Sequence, residues 1–330
     1  YVRMSREEME QVGRLRTIEE WTKTAEDMMK AGTLFVLLTG GEPLLYPHFR
    51  ELYQKLRELG MIITINTNGT LIDEAWADFF AENKPRRINI TLYGASNETY
   101  ERLCHYPGGF DKAVNGIRLL RERNIDVKVN GSLAKANVDD RMKIIELGES
   151  LDAPVRIDTY MYPSVRERNH AYNNQARLDP EMAAKARVEI LRREMGEEVF
   201  AQYRKIRLDE AENTPEGEAI PGQMACRAGK SSFVVNWQGE MRSCVVLDKP
   251  SIPLRDVEFE EAWELTKKGT ESLRISARCS SCKLRKVCNT CVAAAIAETG
   301  KADGVPEYLC RYTEATVRYL KETMEEIVMK

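Results

Sequence analysis

This sequence predicts a parallel α/β domain followed by a cysteine-rich domain suited to metal. From its start to about residue 160, short β-branched runs alternate with amphipathic helical segments in the order αβαβαβαβαβ, which is how parallel strands joined by helical crossovers read. Seven of the eight cysteines then crowd into the last third of the 330 residues. The turn Gly40-Gly41-Glu42-Pro43 stands where a strand ends and the loop before a helix begins, on the face that carries chemistry in barrel-like α/β proteins.

In chain order, Thr17 and Glu20 make a capping box for a helix to about residue 31, since each side chain can satisfy the other's backbone N–H. The apolar run Leu34 to Thr39 is the first strand and ends in the glycine turn. Pro47 is expected to open a helix that stops at Gly60. Ile62 to Asn66 follows as a strand closed by Asn68-Gly69, and Asp73 caps the next helix. Arg87 to Tyr93, Val127 to Leu133 and Val155 to Tyr160 are the further strands, each set apart by helical sequence. The stretch 163–222 turns to Arg, Glu, Asn and Gln, holds a helix from Pro180 to about Glu194, and reads as a helical connecting segment between a domain over 1–162 and another over 223–330. In the last domain, Ser232 to Trp237 and Glu240 to Val246 flank Gln238-Gly239 as a hairpin. A helix near Glu258 to Lys268, the cysteine array and a final helix from about Arg311 complete it.

With 43% hydrophobic and 31% charged residues, the composition is that of a globular chain rather than a disordered or fibrous one. The net charge of −3 arises from interspersed charges of both signs, which speaks against nucleic-acid and anionic membrane partners. No run reaches the roughly 18 apolar residues of a membrane span, and the first residues are rich in Glu and Arg with no apolar signal region. A cytoplasmic location is expected. In such a chain, thiols at short regular spacing predict metal ligation rather than disulfides.

The array is Cys279-x2-Cys282-x5-Cys288-x2-Cys291, preceded by Cys226 and Cys244 and followed by Cys310. Seven sulfurs suit two four-coordinate sites with one position left over, and spacing alone leaves zinc and iron–sulfur ligation both open. At the glycine turn, two residues without side chains let a ligand approach the backbone, and Glu42 adds an acceptor for an ammonium group. A strand-ending turn without a ligand would use the same residues.

Together, LLTGGEPLLYPHF at Leu37–Phe49, INTNGTLI at Ile65–Ile72, INITLYGASNETYERL at Ile88–Leu103 and the cysteine array with Gly239 resemble, in order and spacing, the radical SAM superfamily and within it the members with a C-terminal SPASM domain. The resemblance implies a partial (β/α)6 TIM-like barrel over 1–162 that binds S-adenosylmethionine, and a SPASM domain over 223–330 made of a β-hairpin and helices. It gives Gly40, Gly41, Glu42 and Pro43 to the methionyl amino group of the cofactor, and Thr91, Asn130 and Arg102 to further cofactor contacts. For Asn68, a turn role serves as well as a ligand role. Two auxiliary 4Fe-4S clusters are implied, a distal one on Cys279, Cys282, Cys288 and Cys310 and a proximal one on Cys226, Cys244 and Cys291, one protein ligand short. Cys104 is expected to be a buried inert thiol. Asp158, Tyr160, Tyr162 and Arg166 lie at and after the last strand, where substrate contacts fall in barrels.

The family's reductive chemistry uses a Cys-x3-Cys-x2-Cys loop, and no cysteine precedes Cys104. The expectation is that the sequence starts just past that loop, with the first strand and a third cluster encoded upstream; the rival is a degenerate iron–sulfur electron-transfer or binding protein without radical chemistry. The activity implied by the resemblance is cleavage of S-adenosylmethionine to a 5′-deoxyadenosyl radical that modifies a ribosomal precursor peptide or protein, through a thioether or carbon–carbon crosslink, with flavodoxin or ferredoxin as electron donor. An anaerobic sulfatase maturase-like activity is disfavoured because Val245, rather than Asp, follows Cys244.

Overall fold

The structure, a computed structural model, describes residues 7, 11, 13–162 and 176–328. The chain divides into two compact units, one of Tyr1–Asp158 with Val235–Met241 and Ile252–Trp263, the other of Thr159–Val234, Arg242–Ser251 and Glu264–Lys330.

The first unit is a repeated strand–helix winding. Helix α1 (Ile18–Lys30) begins on the expected capping box, Glu20 N–H donating to Thr17 Oγ1 at 3.3 Å and Thr17 N–H to Glu20 Oε2 at 2.8 Å. Strand β1 (Phe35–Leu38) leads through a short 3-10 turn, Pro43–Leu45, into α2 (Phe49–Glu58). Pro47 does not open that helix. The chain turns once more on the bond from Phe49 N–H to the Tyr46 carbonyl, 3.0 Å, and His48 takes the N-cap position. Strand β2 (Ile62–Thr67), helix α3 (Glu74–Glu82, capped by Asp73), strand β3 (Arg87–Leu92), helices α4 (Asn97–Cys104) and α5 (Gly109–Glu122), strand β4 (Val127–Ser132), helix α6 (Arg141–Ser150) and strand β5 (Val155–Asp158) follow.

All four strand pairings are parallel and the sheet order is β1-β2-β3-β4-β5. Each strand lies beside the next in sequence, so the winding is that of a partial barrel and lacks the reversal of a doubly wound sheet. One face is apolar: Ile63, Ile65, Ile88, Ile90, Leu92 and Val129 are buried under the helices. Phe49, Tyr53, Trp76, Phe79 and Phe80 add an aromatic cluster between α2 and α3, with ring centroids 5.4–6.4 Å apart. The outer strand β1 is different, since Phe35 is 63% and Leu37 51% exposed.

Helix α5 owes its seat to Gly116. A Cβ there would stand 2.6 Å from the Gly69 carbonyl oxygen and 3.1 Å from Ile72 Cβ, and a backbone atom cannot swing aside. Gly116→Ala is therefore expected to destabilise the protein by about 1–3 kcal/mol, the usual cost of overpacking, read as a lower urea midpoint with an unchanged slope.

In the second unit the stretch expected to be a mere connector forms core. Helix α7 (Pro180–Asn213) is capped by Asp179 and interrupted at Gly196, whose φ of 71° and ψ of 165° split it into two helices near the expected end. Val188 and Leu191 before the break, and Phe200 and Leu208 after it, pack with Leu320 of the last helix. Thus over its described part the 163–222 stretch shares one compact unit with Glu264–Lys330, while Val235–Met241 and Ile252–Trp263 lie in the first unit. The remaining elements, divided between the two units, are β6 (Gly222–Gln223), β7 (Val234–Val235), β8 (Glu240–Arg242), β9 (Ser251–Pro253), α8 (Phe259–Glu271), β10 (Arg274–Ile275), α9 (Ala277–Ser281), α10 (Val292–Thr299) and α11 (Glu307–Val328). The hairpin turns at Gly239, φ 82°, with Asn236 N–H bonded to the Glu240 carbonyl at 3.0 Å. Its strands are shorter than expected because beyond Arg242 the backbone serves a thiol: Val246 N–H donates to Cys244 Sγ at 3.4 Å. The last helix begins earlier than expected, after Pro306, whose carbonyl accepts from Leu309 and Cys310. Among the described residues no helix is long and apolar enough to cross a membrane.

Candidate functional site

The period of two along each strand sends one set of side chains into the helices and the other to the opposite face of the sheet. That opposite face is polar and half-buried, and the parallel register orders it: Asn66 lies beside Asn89, Thr91 beside Asn130, and Ser132 beside Asp158. The Asn89 side-chain amide donates to Asn66 Oδ1 at 2.7 Å. A buried sheet face with no ligand would carry apolar residues instead, so this surface is built for polar company.

At the carboxyl ends of β1 and β2 one carboxylate is locked in place. Glu42 Oε1 accepts from the Thr67 hydroxyl at 2.7 Å and from Leu44 N–H at 3.1 Å, and Oε2 accepts from Asn68 N–H at 2.7 Å. Thr67 is itself held, its oxygen accepting from Gly69 N–H at 3.1 Å. A carboxylate offers roughly four lone-pair sites, and these three donors leave one for an incoming group. Burial holds the Glu42 carboxyl above its ordinary range, against the lowering effect of the Asn68, Thr67 and Leu44 bonds. Gly40 has φ 157°, a backbone that residues with side chains rarely adopt. Both Gly40 and Gly41 are exposed, and a Cβ on either would meet open space; Pro43 is buried behind them and starts the 3-10 turn.

The other rim loops are tied to each other. The Asn137 side chain is almost wholly buried and donates to the Tyr93 carbonyl at 2.9 Å and the Ser132 carbonyl at 3.0 Å. Asp140 accepts from Ala95 N–H at 3.0 Å and the Thr99 hydroxyl at 2.7 Å. Arg102 reaches the same loop, donating to the Ala136 carbonyl at 2.6 Å beside Glu98 at 3.6 Å. Thus the structure puts Thr91 and Asn130 side by side on the polar face and Arg102 on the rim next to the β4 loop. Asn68 serves twice: its side chain accepts from Thr70 in a local turn, and its backbone fixes Glu42. Thr67, Asn137 and Asp140 were not legible as site residues; Thr67 closes a strand within a quoted motif, which is the signal that pointed nearest to it.

Asp158 is exposed at the end of β5 and accepts from Arg156 at 3.3 Å. Arg166 lies outside the described residues. In the second unit, the Tyr160 hydroxyl donates to Glu298 Oε1 at 3.1 Å, and its ring meets Tyr162, Tyr308 and Tyr312. Arg177 pairs with Glu298 at 3.0 Å, both side chains little exposed, and lies 3.4 Å over the Tyr308 ring. The Tyr162 hydroxyl instead meets Cys291 Sγ at 3.8 Å.

The seven thiols of the array fall into two electrical neighbourhoods. Burial pushes the Cys279 thiol up, with Cys288 and Cys282 adding to it, and pushes Cys310 up to about 12, with Glu307, Cys279 and Cys288 adding. Burial raises the Tyr162 phenol well above its ordinary range, with Cys291, Cys244 and Cys226 adding to it. Backbone amides already face two sulfurs, Val246 N–H on Cys244 and Leu284 N–H on Cys282, each at 3.4 Å. Among the described residues, no group of three or more His, Cys, Asp or Glu is gathered as a single metal ion requires. Cys104 stands apart and is half-buried rather than buried, its thiol pushed up to about 11 by burial.

Residues 2–148 match the Radical SAM superfamily. The chain is 24% identical over 297 residues to an "AdoMet-dependent heme synthase" of Methanosarcina barkeri (strain Fusaro / DSM 804), a match covering 86% of this chain and 84% of that protein. A "PqqA peptide cyclase" of Rhodopseudomonas palustris (strain ATCC BAA-98 / CGA009) is 26% identical over 176 residues, 53% of this chain and 46% of the relative. Among solved structures, "Native anSMEcpe with bound AdoMet and Kp18Cys peptide" shares the fold with a TM-score of 0.69 at 19% identity, over 96% of this chain and 91% of that one.

Proposed function

We propose that this chain, a radical SAM enzyme whose radical SAM domain spans residues 2–148, binds S-adenosylmethionine at the strand-end rim and modifies a peptide or protein side chain, forming a thioether or carbon–carbon crosslink. The observation that carries the cofactor assignment is Glu42, held by three donors with an acceptor site to spare beside the open Gly40-Gly41 backbone. An ammonium group fits that site, since it is all donor and brings the opposite charge. No cysteine precedes Cys104, so the residues before it supply none of the three thiolates of a Cys-x3-Cys-x2-Cys loop; a 4Fe-4S cluster held by such a loop would supply the electron for reductive cleavage of S-adenosylmethionine. The protein's own residues position. Thr67 and Asn68 keep Glu42 aimed, Thr91 and Asn130 offer a hydroxyl and an amide on the sheet face, and Arg102 keeps a cation at the rim for the cofactor carboxylate. Of the proposed substrate residues Asp158 is the best placed, because Tyr160 and Tyr162 are engaged with Glu298 and Cys291.

In the second unit the all-thiol donor set suits iron–sulfur ligation, and amides directed at sulfur are the kind of support such thiolates receive. Cys279, Cys282, Cys288 and Cys310 would hold one auxiliary 4Fe-4S cluster, and Cys226, Cys244 and Cys291 the other. The peptide reading is supported by the peptide named with the similar fold and by the peptide cyclase relative. Flavodoxin or ferredoxin is the electron donor in this reading.

One observation favours a second reading, a step of heme synthesis: the similarity to the heme synthase extends over 86% of this chain. The product of the complete reading frame, reconstituted anaerobically and reduced, separates the two. Formation of 5′-deoxyadenosine is expected in either case, and its absence with intact iron would sink both in favour of an electron-transfer protein. Mass loss of two hydrogens from a co-encoded peptide supports crosslinking; conversion of an iron tetrapyrrole to heme, seen by absorption, supports the alternative.

A further inference from the structure

The three-thiol group Cys226, Cys244 and Cys291 has one polar side chain from a distant part of the chain beside it, that of Tyr162. The phenol donates its hydrogen to Cys291 Sγ at 3.8 Å, a long contact but within hydrogen-bond reach of sulfur, and Cys244 and Cys226 lie within its electrostatic reach. Both partners are held. Cys291 is the N-cap of α10, its carbonyl accepting from Ala295 N–H at 3.0 Å. The Tyr162 ring is set edge-on against Tyr160, centroids 5.0 Å apart, and Tyr160 is fixed by its bond to Glu298 and by the Arg177 guanidinium 5.0 Å over its ring. A surface tyrosine resting by chance on a thiol would have no such backing.

We propose that Tyr162 is the hydrogen-bond donor that sets the electron affinity of the iron–sulfur group held by Cys226, Cys244 and Cys291. The inference rests on the reading that these three thiolates hold a cluster. A donor on a ligating sulfur draws charge from it and stabilises the reduced state, which carries more negative charge, over the oxidised one, so it raises the reduction potential. Tyr162 acts here as a tuning residue for the sulfur it donates to.

The test is Tyr162→Phe in the full-length reconstituted protein, followed by iron and sulfide content and by redox titration of each cluster's EPR signal. The expected result is unchanged iron and one signal moved to more negative potential. Unchanged potentials at full iron content overturn the proposal. Loss of about four irons, one cubane's worth, also overturns it, since Tyr162 would then be a ligand or a support. In the unsubstituted protein, ring-deuterated tyrosine should give a deuterium coupling to the same signal by pulsed EPR; its absence counts against the proposal however the variant folds. Failure of the underlying reading looks different: Cys226→Ser would leave the iron content untouched.

Discussion

On the proposed ligand assignment, serine in place of Cys279 should lower the iron content of the reconstituted protein by about four per chain, the content of one cubane, and leave the rest of the iron in place. Cys279 is the most buried of the seven thiols and senses Cys282 and Cys288, so on that assignment its replacement removes one of four proposed thiolate ligands. Cys226→Ser should remove a different set of about four irons, and the double variant should lose both. Two separate clusters predict that the losses add, since independent sites are additive. Cys104→Ser is the control, expected to change nothing. Iron and sulfide assay with EPR of the reduced protein reads all four. A single substitution that empties both sites would mean that the seven sulfurs form one cooperative structure; one zinc per site in place of iron would return the array to a structural role.

The sequence-level expectations held best where a residue type has one physical use. Period-two runs of Ile and Val gave five strands in order, and Asp73 and the Thr17–Glu20 pair gave helix starts, because capping needs only local geometry. The helix after the glycine turn began two residues late because Pro47 fits a loop as well as an N-terminus. The hairpin strands are shorter than their sequence suggests for a related reason: alternation of Val and polar residues up to Val246 looks like a strand, while the backbone there turns to serve Cys244. The connector over 163–222 hid its core because its apolar residues are spread over two helices broken at Gly196, and a long polar composition masks that spacing. At the site, Glu42 was visible because a motif names it. Its holders were not, since the Asn68 contribution comes from a backbone N–H that any residue would have, and Thr67 faces Glu42 only through the pairing of β1 with β2.

Glu42→Gln should weaken S-adenosylmethionine binding by about ten- to a hundredfold, as expected from losing a charge-assisted bond of about 1.5–3 kcal/mol. Glutamine keeps the size of the side chain and one acceptor oxygen, but its NH2 group meets the donors that now serve Oε1 or Oε2, and one of them is left unpaired. Calorimetric titration of the cofactor reads the loss, and unchanged affinity would remove Glu42 from the cofactor site. The pH dependence carries the sign of the same group. Burial raises the Glu42 carboxyl above its ordinary value, so the folded protein holds that proton to higher pH than the unfolded chain does. Its contribution to stability is therefore present below the unfolded value and is lost as pH rises through the folded one. Cofactor binding runs the opposite way. The ammonium needs the ionised carboxylate, so affinity should climb as pH rises through the raised folded value and then level off. Binding should release a proton at pH values within that window. In Glu42→Gln both slopes should vanish together. A cofactor affinity that kept its climb in this variant would assign the titration to another group, and the ammonium would then have to be held elsewhere on the rim.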